Sequence, residues 1–165
     1  MSEETLAKRL LASCIARDIL VATAESCTGG MVAAAITDIA GSSAALDRGF
    51  VTYSNEAKMA MLGVEAKTLA NHGAVSEETA AEMARGALAH SNAGAAVAIT
   101  GIAGPGGGSV EKPVGLVWFA TASRDGTVVT RQAQWGDIGR AKVREAARHT
   151  ALEMLLEAVE RLHRG

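Results

Sequence analysis

The chain has 165 residues, 48% of them hydrophobic and 21% charged, with a formal net charge of −2. That length suits one domain that buries a core without disulfides or metal, and near-neutrality gives no global attraction to nucleic acid or anionic lipid. Aromatic residues make up only 3%, which leaves few rings on which bases could stack.

Leu6, Leu10, Leu11, Cys14 and Ile15 repeat at helical spacing, and DILVATAE reads as a short buried strand. The small residues of MVAAAITDIA after Gly29 predict a tightly packed helix ended by the turn at Gly41, Ser42 and Ser43. RGFVTYS then alternates as a second strand ending at Tyr53. Two short helical pieces fill Asn55 to Asn71, and Ser76 followed by Glu77 and Glu78 opens a longer helix ending near Ser91. AAVAIT is a third strand, and it leads into GIAGPGGGSVEK, the longest loop. PVGLVWFATAS and TVVTRQAQW pair antiparallel across Arg124, Asp125 and Gly126, since Asp-Gly is a strong hairpin signal. Ile138 to Leu162 closes the chain as a long helix with a stripe of Leu152, Leu155, Leu156, Val159 and Leu162. Helices interleaved with strands, without an internal repeat or a linker-like shift in composition, predict a single α/β/α layered domain over 1–165 with a mixed sheet of about five strands.

Cys14 and Cys27 form neither a ligand spacing nor a disulfide framework. The acidic, amphipathic start MSEETLAKRL does not read as a signal peptide, and no apolar run is long enough for a bilayer, so the expected compartment is the cytoplasm. His72, His90, His149 and His163 are scattered without metal-ligand spacing and read as surface or helix-end residues.

Two phosphate templates fail on the glycine loop. A P-loop needs lysine then Ser or Thr after its last glycine and a helix beyond, whereas Ser109 leads through Lys112 and Pro113 into a strand. The dinucleotide fingerprint lacks its final glycine and its helix. What remains is backbone N–H free to approach a ligand, or a plain connection.

AESCTGG, residues 24–30, lies between a buried strand and a helix, where α/β sheets bind ligands. Ser26 is there either as an N-cap or as a nucleophile whose oxyanion the amides of Cys27, Thr28, Gly29 and Gly30 and the helix dipole would stabilise. Cys27 is a rival nucleophile if the helix end favours its thiolate, and a small buried hydrophobe otherwise. In RGFVTYSNEAK, Ser54 or Asn55 caps a short helix that carries Lys58 in its first turns, an electrostatically disfavoured place that lowers an amine's pKa. A Ser-Lys pair is a known nucleophile-plus-base arrangement, and Tyr53 could orient the amine or relay a proton; the plain alternative is a solvated lysine.

AESCTGG, GSSAALDRGFVTYSNEAK, HGAVSEETA and ITGIAGPGGGSVEKPVGLVWFA, in this order, resemble the CinA C-terminal domain family from about Leu6 to about His149. That family includes nicotinamide-nucleotide amidases, which convert nicotinamide mononucleotide to nicotinate mononucleotide and ammonia in pyridine nucleotide salvage. The resemblance implies a Ser/Lys mechanism without metal or organic cofactor, with Ser26 as nucleophile, Lys58 as base and Tyr53 assisting. It places Thr100 and Gly101 in the site wall and the glycine loop near ribose or phosphate; Arg140, near the start of the last helix, is nominated for the phosphate. Larger members carry an additional N-terminal domain resembling molybdopterin-binding proteins, and a pyrophosphatase activity tied to that domain is not expected from the motifs present. The expected partners are a small nucleotide substrate and a second copy of the chain in a homodimer, with no nucleic acid or membrane. Rival readings are a non-catalytic nucleotide-binding module and an amidase of another carboxamide.

Overall fold

Alternation along the central strands sets the layering. The computed structural model describes residues 1–162, so His163 lies outside the described residues. In β1 (Val21–Glu25), β3 (Ala95–Gly101) and β4 (Leu116–Ser123), Val21, Val97, Ile99, Val117 and Phe119 point to one face, while Ala22, Ala24, Ala96, Ala98, Ala120 and Ala122 point to the other, as a period of two requires. The bulky face packs under α1 (Glu3–Arg17), α2 (Met31–Thr37) and α6 (Arg140–Arg161). The alanine face lets α5 (Glu77–Ala89) come close, with α3 (Asn55–Leu62) and α4 (Ala66–His72) packed against α5. The approach is tightest at Gly86, where a β-carbon would collide with the Leu62 carbonyl.

With β2 (Leu46–Val51) and β5 (Val128–Gln134), the sheet runs β2-β1-β3-β4-β5. The first three strands are parallel and the last two antiparallel to their neighbours, which is the expected mixed five-stranded α/β/α arrangement. The chain leaves β1 for β2 on one side and returns to β3 on the other. A crevice therefore opens at the carboxyl ends of β1 and β3. No helix among the described residues is long and apolar enough to cross a membrane.

Several element ends differ from expectation for local reasons. Asp18 is not strand but the left-handed cap of α1, its amide bonded back to Cys14 and Ile15. β2 begins at Leu46, opposite Val21, and ends at Val51 instead of Tyr53. α2 begins at Met31, as MVAAAITDIA predicts, but ends at Thr37, short of the turn at Gly41; Gly29 and Gly30, at φ +58° and +110°, turn the chain ahead of it, so Cys27 to Gly30 are not its first turn. Gly139, at φ +102°, delays α6 from Ile138 to Arg140.

Candidate active site

β1 hands its last residues directly to the crevice. The Ser26 amide donates to the Ile99 carbonyl at 3.0 Å, which extends the β1–β3 ladder by one rung and holds Ser26 at the sheet's edge. Ser26 is not a helix cap: the cap position of α2 belongs to Gly30, which makes no side-chain bond. The first amides of α2 are claimed by Glu25, whose buried carboxylate accepts from Val32 at 2.9 Å and Ala33 at 3.1 Å. This corrects the expectation that the helix end faces Ser26 unpaired, since a carboxylate already satisfies its orphan donors and its dipole. Within the turn, the Gly29 amide donates to the Ser26 carbonyl at 3.1 Å. Thr28 is fully buried, and Thr28, Gly29 and Gly30 do not line the cavity. Cys27, the residue after Ser26, lines the cavity; its amide bonds to its own sulfur and to no carbonyl of another described residue.

Lys58 arrives from the next unit. Beyond β2, Ser54 caps α3 by accepting from the Ala57 amide at 3.1 Å, which places Lys58 in the helix's first turns as expected. The side chain points inward and is only 1% exposed. Its Nζ lies 3.1 Å from Ser26 Oγ, 3.0 Å from the Thr52 carbonyl and 3.3 Å from the Tyr53 carbonyl. Burial pushes the amine's pKa below the ordinary lysine value, opposed in part by the neighbouring Cys27. The two carbonyls can only accept, so a neutral amine gives them its two hydrogens and turns its lone pair to the hydroxyl.

Around this pair is a cavity of about 200 Å³ lined by Ser26, Cys27, Tyr53, Lys58, Thr100, Gly101 and Arg140, with Asn55, Ala74, Val75 and Ala103 completing its walls. Tyr53 meets Lys58 through its backbone carbonyl alone. Its phenol oxygen accepts from Arg140 Nη2 at 3.1 Å, so it stands at the mouth and not between Ser26 and Lys58. Arg140 Nη1 also donates to the Gly104 carbonyl at 2.9 Å, which ties α6 to the glycine loop. Thr100 donates its hydroxyl to the Ala74 carbonyl at 2.8 Å and thereby fixes the Ala74–Val75 wall. Gly101 serves packing: a β-carbon there would sit 2.6 Å from Val117 Cγ2. Burial pushes the Cys27 thiol up to about 11, so at neutral pH it is a protonated neighbour.

Sequence reasoning missed Ala74, Val75 and Ala103, apolar residues inside quoted motifs, and read Asn55 only as a possible cap and not as a wall residue. It also missed Arg144, which donates through Nε to the Cys27 carbonyl at 3.0 Å and through Nη2 to the Thr28 carbonyl at 3.4 Å. Nothing local distinguishes Arg144 from an ordinary helix arginine.

A family model described as the CinA C-terminal domain matches residues 3–159. The chain is similar to the nicotinamide-nucleotide amidohydrolase PncC of Escherichia coli strain K12, 60% identical over 141 residues that cover 85% of this chain and 84% of that one. A CinA-like protein of Mycolicibacterium gilvum is 54% identical over 139 residues, 84% of this chain but 33% of the relative. Among solved structures, the competence/damage inducible protein CihA from Agrobacterium tumefaciens superposes with a TM-score of 0.93 at 56% identity, covering 96% of this chain and 99% of that one. On the extent of the family match and the identity to these relatives, the chain belongs to the CinA C-terminal domain family.

Proposed function

We propose that this chain is an amidohydrolase that converts nicotinamide mononucleotide and water to nicotinate mononucleotide and ammonia, with Ser26 as nucleophile and Lys58 as its base. The substrate is supported by the amidohydrolase relatives. The mechanism rests on one observation, the buried Lys58 amine held between two carbonyls and the Ser26 hydroxyl.

Neutral Lys58 takes the Ser26 proton as Oγ attacks the carboxamide carbon. The carbonyl π pair moves onto oxygen, and the Cys27 amide, on the residue after the nucleophile, is the donor assigned to that charge. As the tetrahedral species collapses, the C–N bond breaks and Lys58 returns the proton to the leaving nitrogen, releasing ammonia and an ester on Ser26. Water, deprotonated by the same amine, then attacks the ester, and the serine leaves as its hydroxyl. A cavity of about 200 Å³ is smaller than the roughly 300–1,000 Å³ of pockets that enclose a drug-sized ligand. It therefore suits the pyridine carboxamide, with ribose and phosphate lying outward along Arg140 and the glycine loop. Arg140 and the α6 N-terminus, whose first turn carries no acid, supply positive potential there. A homodimer is part of the same proposal, to be read from a two-chain mass in light scattering.

Ammonia release from nicotinamide mononucleotide by wild type and by Ser26→Ala tests the reading. Turnover in the wild type and its loss in the variant are expected; equal turnover in both would remove Ser26 from the chemistry. Because Ala74, Val75 and Ala103 give the ring only apolar contact, a panel of other carboxamides measured alongside tests the substrate separately. Nucleotide binding without turnover would favour a non-catalytic module.

A further inference from the structure

Arg140, Arg144 and Arg148 recur every fourth residue of α6 and so share one face of the helix. Arg148 pairs with Glu3 at 2.8 Å. Among the described residues no carboxylate lies within 4.0 Å of the Arg140 or Arg144 guanidinium. Arg144 is half-buried, and it spends its donors on two successive carbonyls of the turn that carries Ser26. Withdrawing a cation from water without an anion is costly, so this placement calls for a role that the turn needs.

That role follows from the peptide planes. In a trans peptide the N–H points opposite to the carbonyl. The Thr28 carbonyl accepts from the Met31 amide at 3.0 Å and from Arg144 Nη2 at 3.4 Å, so the Gly29 N–H on the same plane points the other way, and it donates to the Ser26 carbonyl at 3.1 Å. The Ser26 carbonyl shares its plane with the Cys27 N–H, which is thereby turned the opposite way, on the residue that lines the cavity. Arg144 also grips the Cys27 carbonyl, fixing the other side of that residue. Glycine at position 29, at φ +58°, leaves the turn soft enough to need such a grip, and a β-carbon there would meet Arg144 Nη2 at 3.5 Å.

We propose that Arg144 is a positioning residue: its grip on the Cys27 and Thr28 carbonyls aims the Cys27 amide at the oxygen that becomes negative when Ser26 attacks. Its unpaired charge further polarises those planes and strengthens their N–H donors. The inference rests on the Ser26 reading above and adds a group that touches neither substrate nor Lys58.

Two measurements on Arg144→Met, which keeps the apolar stem, and on Arg144→Lys, which keeps the charge but not the fork, test it. One is kcat and KM for nicotinamide mononucleotide. The other is binding of 3-pyridylboronic acid, which adds the Ser26 oxygen to boron and places a boronate oxygen where the oxyanion would form. Arg144→Met is expected to lower kcat about 10- to 100-fold, short of the full loss of an oxyanion donor. KM and affinity for nicotinate mononucleotide stay near wild type, the boronate weakens in parallel, and the pH–rate midpoint does not move. Arg144→Lys shows the same pattern at smaller amplitude and decides the matter if Arg144→Met fails to fold by circular dichroism. An unchanged kcat and boronate affinity in a folded variant would overturn the proposal, as would a raised KM at unchanged kcat, which marks a substrate-binding arginine. If wild type binds the boronate but leaves the nucleotide intact, the substrate assignment fails while the boronate comparison still judges Arg144. If it does neither, the Ser26 reading and the role of Arg144 fall together.

Discussion

Lys58 Nζ and Ser26 Oγ lie 3.1 Å apart across thirty-two positions of chain, and both residues are buried. Burial lowers the amine's pKa from 10.5, and only the neutral amine can accept the serine proton. Activity is therefore expected to rise with pH through the lowered lysine pKa and to reach its plateau before the ordinary lysine range. Lys58→Ala should lose about 10²- to 10⁴-fold in kcat, the usual contribution of a general base. A pH–rate profile of kcat/KM checks both, and a rate that falls as the amine loses its proton would remove Lys58 as base.

The same residue links stability to pH. Because the folded-state pKa lies below the unfolded value, the unfolded chain binds more protons between the two, and stability rises with pH across that window toward 10.5. Below it both states are charged, and the native state bears the whole cost of the buried ammonium. Urea unfolding of wild type and Lys58→Met from neutral to alkaline pH should show wild type gaining on the variant. A constant difference would mean that the amine titrates normally.

Glu25 holds the Val32 and Ala33 amides from a fully enclosed position. Glu25→Ala leaves one buried and one partly buried donor without partners, and is expected to cost about 1–3 kcal/mol of stability and to reduce kcat through the adjoining turn. Glu25→Gln, with one acceptor oxygen, should fall between. Denaturant midpoints and ammonia release check the ordering Glu, Gln, Ala.

Gly86 faces the last carbonyl of α3, the helix that carries Lys58. Gly86→Ala should force the two helices apart at about 1–3 kcal/mol, the usual cost of overpacking, although alanine is the better helix former. Thermal unfolding gives the sign: stabilisation would show that α3 can retreat freely.

Arg140 bridges the Tyr53 phenol and the Gly104 carbonyl at the cavity mouth. Under the proposed phosphate role, Arg140→Ala is expected to raise KM for nicotinamide mononucleotide about 10-fold or more, the scale of a charge-assisted bond. KM for nicotinamide riboside, which lacks the phosphate, should move much less. Equal losses on both substrates would make Arg140 a support for the loop alone.

What could be read from sequence was mostly what neighbours in the chain decide. Ser54 and Ser76 cap their helices through the third amide onward, and the turn at Asp125 and Gly126 joins an antiparallel pair, because caps and hairpins are set within a few residues. The start of β2 was set by a partner far away, Val21 opposite Leu46, and local alternation placed it late. The Gly29–Gly30 pair looked like the opening of a helix but is a left-handed turn, so the helix-end donors meant for Ser26 went to Glu25 instead. Ser26 and Lys58 drew notice by type and position. Tyr53's phenol and the grip of Arg144 depend on where α6 docks, and no local pattern encodes that contact.

The residues around the cavity fall into two inheritances. Ser26 and Lys58 belong to one uninterrupted run through β1, α2, β2 and α3, while the walls at Ala74, Val75, Thr100 and Ala103 and the arginine at the mouth come from later segments. Apart from the grip of Arg144, the proposed attacking pair and the walls around it thus lie in separate stretches of chain. Exchanging the loop between Ile102 and Gly115 for one of different length is expected to change which carboxamides the cavity admits, while Ser26 and Lys58, the proposed attacking pair, keep their 3.1 Å contact.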